Sequence, residues 1–188
     1  MLTFFIVAGV VLGLVYGWYA TIISRRNKAL EALSGIDVQL QKRSDLIPSI
    51  LKIAKKFMEH EKELITEVTE LRTRMEAGYD ARDPNAVGEH LQAAEKLGGA
   101  MGKLMVAVEA YPDLKSSDNM VQAQRTYNEV EAQISAARRF YNASVSQLNT
   151  SIQIFPGTFI AQMAGVEPMP FYEADDGAKA PVDASDYL

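Results

Sequence analysis

The sequence lacks cysteine altogether and contains only two histidines, His60 and His90. Disulfides, thiolate nucleophiles and cysteine-ligated metals are therefore excluded. Neither histidine belongs to an H-E-x-x-H motif or to a Glu-x-x-His pair, the pattern with which helical bundles hold metal ions. The G-x-x-x-x-G-K-[ST] phosphate loop and the G-x-S-x-G nucleophile elbow are also missing. We therefore predict that the protein is not an enzyme and that it holds no metal and no cofactor.

Positive charge is too evenly spread to form a nucleic-acid-binding surface. The chain has 19 Lys and Arg against 24 Asp and Glu, and its formal net charge is −5. Residues 167–188 carry six of the acids and only one base, so the rest of the chain is balanced. Nucleic acid binding needs a basic stripe or patch, which the sequence does not contain. We expect neither nucleic acid nor a small-molecule substrate as a partner.

Residues 2–23 form a run of 22 residues without a charge. At about 1.5 Å per residue, a helix of this length reaches about 33 Å, enough to cross the hydrocarbon core of a bilayer. A cleaved signal peptide would have a base before its apolar run and small residues at its end. Here no base precedes the run, and its end is bulky and aromatic. We predict a transmembrane anchor over residues 1–24; the alternative is a buried core helix.

The residues at the end of the apolar run predict where the membrane ends and how the chain is oriented. Aromatic side chains favour the headgroup layer, and bases favour the cytoplasmic side. Because the bases follow the run, we expect the N-terminus outside and the remainder of the chain in the cytoplasm. The predicted membrane-interface residues are Tyr16, Trp18, Tyr19, Arg25, Arg26 and Lys28.

Gly9, Gly13 and Gly17 recur every four residues within the predicted anchor. This double G-x-x-x-G spacing places small residues on one face, where a second transmembrane helix can approach closely. The alternative is that glycine is simply frequent in membrane helices. We predict self-association through this face and therefore a homo-oligomer.

Four long segments have helical periodicity, and none alternates with period two. The first continues the anchor to about Arg43. Ser44 or Asp45 is expected to cap a second segment at about 46–78, with Pro48 in its first turn. Asp83 caps a third segment that runs to about residue 110. The fourth spans about 117–155, and residues 156–165 could add a short helix.

Apolar residues recur every seven positions along the second to fourth segments, which predicts near-parallel packing at about 20°. Short turns between the segments indicate antiparallel neighbours. We therefore predict an all-α protein in which one N-terminal transmembrane helix continues into an extended antiparallel helical bundle at 25–165. Residues 166–188, acidic and proline-containing, are predicted to be a tail without a core of its own.

Several polar residues are candidates for contacts within the bundle. Glu61 and His90 fall at core-type positions of two helices and could form a buried pair, but we expect His90 to lie at the bundle edge in water. For Glu61 two alternatives stay open, solvation and pairing with Arg43, Arg138 or Arg139. Asp45 is expected to act as a helix cap. The predicted bundle polar contacts are Asp37, Asp45, Glu61, Arg138 and Asn142.

The stretches Ile36-Asp37-Val38-Gln39-Leu40 and Arg43-Ser44-Asp45-Leu46-Ile47-Pro48 resemble the LemA family. So do His60-Glu61, Tyr111-Pro112-Asp113-Leu114-Lys115 and Ala137-Arg138-Arg139-Phe140-Tyr141-Asn142, which leads to Asn149, Phe155 and Pro156. The likeness covers about residues 26–173. It implies a bacterial inner-membrane protein with one N-terminal membrane helix and a helical bundle, and no established enzymatic activity. Residues 32–35, Ala-Leu-Ser-Gly, depart from the family, which often has tryptophan and another aromatic residue there.

Two functions fit these observations. The first is a single-pass membrane scaffold that assembles with itself and organises membrane proteins, with the acidic tail or the bundle surface as a docking site. The alternative is a monomeric or dimeric adaptor that binds one membrane partner, such as a membrane protease. The two differ in the size of the protein when it is expressed alone.

Overall fold

The computed structural model describes residues 1–58 and 60–173, and within these ranges every regular element is a helix. The all-α prediction is thereby confirmed. The acidic residues of the predicted tail between 175 and 186 lie outside the described residues. The helices are α1 (Leu2–Ala54), α2 (Lys62–Met75), α3 (Pro84–Val108), α4 (Pro112–Lys115), α5 (Asp118–Gln153) and α6 (Gly157–Ala164).

Helix α1 has 53 residues and changes character at Ile22. Residues 2–21 of the helix are exposed or only partly covered, whereas from Ile22 onward one face is buried. This face has a repeat of three and four residues, the period of a packed helix surface. It consists of Leu33, Ile36, Leu40, Arg43, Ile47, Ile50 and Ala54. The predicted continuation of the anchor into the bundle is therefore present as one unbroken helix.

Helices α1 and α5 run antiparallel and form the main wall of the bundle. Near the start of the wall, Arg25 Nη1 donates a hydrogen bond to the carbonyl oxygen of Gln147 at 3.0 Å. Eighteen residues further along α1, Arg43 pairs with Glu131, which lies sixteen residues earlier on α5. Between these two contacts the residue number rises along α1 and falls by nearly the same amount along α5, so the two helices are antiparallel. Helices α2 and α3 pack on each other as a second pair.

Pro48 lies inside α1, so the predicted break at residues 44–48 is wrong. A proline lacks the N–H that would bond to the carbonyl four residues before it. The carbonyl freed here is that of Ser44, and it accepts a hydrogen bond from Arg72 Nε of α2 at 3.2 Å. Ser44 Oγ in turn donates to Glu76 Oε1 at 2.7 Å. The helix continues because a neighbouring helix replaces the missing partner.

The chain breaks instead between α1 and α2, at residues 55–61. The predicted second segment at about 46–78 is therefore divided between two helices. Phe57, expected in its apolar seam, is exposed, and Glu61 becomes the residue before α2 rather than a core position. Asp45 is not a helix cap, since it lies within α1, where its Oδ1 accepts a hydrogen bond from Gln41 Nε2 at 2.8 Å.

Other helix boundaries agree with the sequence. Asp83 caps α3, accepting a hydrogen bond from the Asn85 N–H at 2.9 Å. Ser117 caps α5 through the N–H of Met120. The short final helix is present as α6, and Gly165 ends it with a φ of 61°, a left-handed conformation that favours glycine.

Residues 166–173 run back along α5 as an extended strap. Val166, Met169 and Tyr172 are buried, so every third residue faces the bundle, the period of a polyproline II helix. Asn149 exchanges two hydrogen bonds with the backbone of Met169, and Asn142 does the same with Tyr172, at 2.8–3.0 Å. Asn142 and Asn149 are seven residues apart on a helix, and Met169 and Tyr172 are three residues apart on an extended chain. Both separations are about 10 Å, so each asparagine lies opposite its partner. The first part of the predicted tail is thus packed on the bundle.

We predict that Asn142→Ala releases the end of the strap. The substitution leaves the buried N–H and carbonyl of Tyr172 without their partner, which costs about 1–3 kcal/mol. Hydrogen exchange of the full-length protein in detergent should show faster exchange at residues 169–173. Asn128→Ala, at an exposed position of the same helix, is the matched control and should change nothing. Equal exchange in both variants would contradict the role of Asn142.

Candidate functional site

The N-terminal part of α1 is the one helix, within residues 1–58 and 60–173, that is long and apolar enough to cross a membrane. Only 6% of its most apolar window is buried, so it is not the core helix of a soluble protein. Large apolar side chains such as Phe4, Leu12 and Leu14 are exposed around its circumference. A helix that is apolar on all sides and unburied needs an apolar solvent.

Gly9, Gly13 and Gly17 lie on one open face of this segment. A Cβ atom added at any of the three would have no described atom within 4 Å apart from the local helix backbone. At about 100° per residue, Ile22 lies about 180° around α1 from Gly13, and Trp18 about 140°. Ile22 is buried and Trp18 packs against the bundle core. The glycine face therefore points away from the part of the chain that packs on α1.

The predicted interface residues take three different positions. Tyr16 and Tyr19 are exposed on α1, and Lys28 is exposed beyond them. Trp18 is partly buried beneath α6, where its indole lies next to Gly157. A Cβ atom at residue 157 would lie 2.8 Å from Trp18 Nε1 and 1.9 Å from the carbonyl oxygen of Ser151, so only glycine fits. Arg25 is tied to α5 through Gln147.

Arg43 is the most buried charged residue of the described bundle, with 2% of its side chain exposed. Its Nη2 donates to the carbonyl oxygen of Ala94 on α3, and its Nη1 lies 3.4 Å from Glu131 Oε1 on α5. A Cβ atom at Gly98 would lie 2.9 Å from Nη1, so glycine at this position makes room for the guanidinium. Helix α3 thus approaches Arg43 of α1 closely at Gly98. Arg43 joins three helices through one side chain.

Asp37 accepts two hydrogen bonds from the other helix pair. Tyr79 Oη donates to Oδ2 at 2.8 Å, and His90 Nε2 lies 3.1 Å from Oδ1. Burial raises the pKa of Tyr79, and the hydrogen bond to Asp37 adds to this, so the phenol stays protonated and donates. The Tyr79 and His90 rings stack with centroids 4.0 Å apart. The expectation of a solvated His90 is wrong, because only 9% of its side chain is exposed.

Arg138 connects α5 with α3 and with the strap. Its guanidinium forms an ion pair with Glu95 and lies 4.1 Å from the ring centroid of Tyr172. Burial raises the pKa of Tyr172, while the Arg43 and Arg138 charges oppose the rise. The alternative of a buried pair between Glu61 and His90 is not formed, since His90 pairs with Asp37. Arg43 and Arg138, considered as partners for Glu61, pair with Glu131 and Glu95 instead.

Comparison with known proteins agrees with this architecture. A sequence model of the LemA family matches residues 32–185. The chain belongs to the LemA family. Magnetosome proteins MamQ 2 and MamQ 1 of Paramagnetospirillum magneticum are each 22% identical to it over 187 residues, covering 87% of this chain and 68% of the relative. Magnetosome protein MamQ of Magnetospirillum gryphiswaldense is 22% identical over 184 residues, with the same coverage.

The LemA-family stretches that carried the resemblance coincide with the polar contacts of the bundle. Asp37, Arg43 and Ser44 come from the first stretches, and Arg138 and Asn142 from the last. In the part of the chain that the structure describes, no three His, Asp or Glu side chains are grouped to hold a metal ion. These charged and polar groups bind one another across helices, so in this structure they hold the helices of the bundle together. This LemA-family chain is a membrane-associated helical protein.

Sequence reasoning named Arg43 only as a possible partner of Glu61 and missed Tyr79. The signal for Arg43 was its position, three residues after Leu40 and four before Ile47, within the apolar stripe of α1. This signal was hidden by the expected helix break at residue 44. Tyr79 follows Gly78 in the turn between two helices, where the sequence shows no periodicity, and only the fold brings it to Asp37.

We expect Arg43→Met to destabilise this LemA-family bundle by about 1–3 kcal/mol, because it removes the buried hydrogen bond to the Ala94 carbonyl and the ion pair with Glu131. Chemical denaturation of the full-length protein in detergent, followed by circular dichroism, measures the loss. Lys42→Met removes the neighbouring exposed charge and should change stability by no more than about 0.5 kcal/mol. A loss of the same size for both variants would show that Arg43 has no special role.

Proposed function

We propose that this LemA-family protein is a single-pass membrane scaffold that assembles with itself and organises membrane proteins in the bacterial inner membrane. The observation that carries the proposal is the open glycine face of α1. Gly9, Gly13 and Gly17 present backbone without side chains, and no described atom of the bundle covers them. Close approach of two such faces favours association of transmembrane helices through van der Waals packing.

The position of this face relative to the bundle supports self-assembly. Because it lies opposite Ile22 and Trp18, a second copy can reach it without meeting α5 or α6 of the first. The same side of α1 continues beyond the membrane through Ser24, Gly35 and Val38, which are exposed. A contact that begins in the bilayer can therefore extend along the helix into the bundle.

The polar contacts between helices support a structural role for the bundle. Arg43, Asp37 and Arg138 each link elements that are distant in the chain, and their partners are other side chains or backbone groups of this protein. Such contacts specify which helices pack together more than they add stability. A rigid bundle on a membrane helix suits a protein whose activity is to hold others in place.

The size of the detergent-extracted full-length protein, expressed alone, distinguishes the scaffold from the alternative adaptor. We expect a discrete complex of many subunits by native mass measurement. Gly13→Leu should reduce this mass, because a leucine side chain separates the two helix backbones. Ala8→Leu introduces the same side chain about 140° away around the helix and should leave the mass unchanged.

A monomeric or dimeric wild-type protein would overturn the scaffold proposal and favour an adaptor for one membrane partner. An oligomer whose mass is the same in the wild type and the Gly13→Leu variant would place the contact elsewhere on the chain.

We also propose that the bundle lies in the cytoplasm and the N-terminus outside, from the positions of Arg25, Arg26 and Lys28. Because the chain has no cysteine, Val106→Cys introduces a single thiol at an exposed position of α3. A membrane-impermeant maleimide should label it only after intact cells are permeabilised. A cysteine at Thr3 is the control and should react in intact cells. The reverse pattern would invert the orientation.

A further inference from the structure

Residues 140–166 contain no Asp, Glu, Lys, Arg or His, the longest uncharged stretch of the chain. It begins within α5, as that helix descends toward the membrane end of the bundle, and it includes the whole of α6. A water-exposed surface of a bundle usually carries charged residues among its polar ones. Their complete absence here calls for an apolar or interfacial environment around part of this stretch.

The exposed side of α6 is apolar. Ile160 and Ala161 are buried against α1 and α5, whereas Phe159 and Met163, on the other side of the helix, are 64% and 74% exposed. The residues just before α6 continue this surface, and Phe155 is 86% exposed. We call this surface the apolar foot; it consists of Ile154, Phe155, Phe159 and Met163.

The apolar foot lies at the level where the membrane span ends. Gly157, at the start of α6, lies against Trp18 of α1. Trp18 lies five residues before Ile23, the end of the uncharged run, which corresponds to about 7 Å along the helix axis. Tryptophan in this place is typical of the headgroup layer. Since the start of α6 packs beside Trp18, Phe155 and Phe159, each two residues from Gly157, lie near the same depth.

We infer that the apolar foot is a second membrane contact, which inserts its two phenylalanines and Met163 into the boundary between the lipid headgroups and the acyl chains. The bilayer itself covers this surface, because the surface adjoins the transmembrane segment at Trp18. In addition, the stretch 140–166 that contains it carries no charged residue. Interfacial helices bury an apolar face about 5–10 Å deep in this layer. Trp18 lies about 7 Å inside the end of the predicted span, which is within this range.

This contact would fix how the protein stands on the membrane. A single helix can tilt in any direction, but a helix with an apolar foot attached at one side cannot tilt away from that side without pulling the foot out of the bilayer. The foot packs near Trp18, on the side of α1 away from Gly13. The inference does not depend on self-assembly, since one chain alone presents both the span and the foot.

The test uses the absence of cysteine in the chain. Met163→Cys and Val106→Cys each introduce one thiol at a position with 74% exposure, the first in the foot and the second on α3. The full-length variants are labelled with a fluorescent probe and reconstituted into phosphatidylcholine–phosphatidylglycerol liposomes at about one chain per liposome. Brominated acyl chains in the lipid should quench most of the fluorescence at position 163 and leave that at 106 unchanged. Iodide in the buffer should do the opposite.

Phe159→Cys provides a second position in the foot and should give the same result as Met163→Cys, so that a local defect of one variant does not decide the outcome. Quenching of both foot positions by iodide and not by brominated lipid would overturn the inference, because the foot would then face water. Protection from both quenchers would also overturn it, because the foot would then be covered by protein rather than by the bilayer.

Discussion

The structure depends on α1 remaining helical through Pro48. The proline frees the carbonyl of Ser44, and a buried carbonyl without a partner would cost about 1–3 kcal/mol. Arg72 of α2 supplies the missing hydrogen bond, and its ion pair with Glu76 holds it in place at 2.7 Å. Because α1 does not break, one helix contains both the candidate membrane span and the wall on which α5 packs. The position of every other element follows from this continuity.

The buried polar groups determine how the two helix pairs meet. Apolar stripes allow many rotations and shifts of one helix pair against another, since hydrophobic contacts are not directional. Arg43 needs the Ala94 carbonyl and Glu131, and Asp37 needs Tyr79 and His90, so a shift by one helical turn would leave charges unpaired. These contacts therefore select one arrangement among several that bury similar apolar area.

The sequence predicted the helices, most of their ends and the long apolar N-terminal segment, because these depend on local patterns. Asp83 caps α3 as expected, since a cap acts within its own first turn. The break at Pro48 was predicted wrongly because the compensating Arg72 comes from another helix. Asn142 was a candidate without a partner, since its partner, the backbone of Tyr172, carries no sequence signal. Contacts between distant segments are the part that local patterns do not contain.

The unbroken course of α1 from the span to Ala54 also has a mechanical consequence. From Ile23 to Ala54 the helix extends about 46 Å from the membrane. Transmembrane helices adjust to thicker or thinner bilayers by tilting. Since no hinge separates the span from the bundle, a change in tilt of about 10° displaces the far end of α1 sideways by about 8 Å. In a bilayer, the position of the far end of α1 would therefore change with the thickness of the surrounding lipid, as far as the apolar foot permits the tilt.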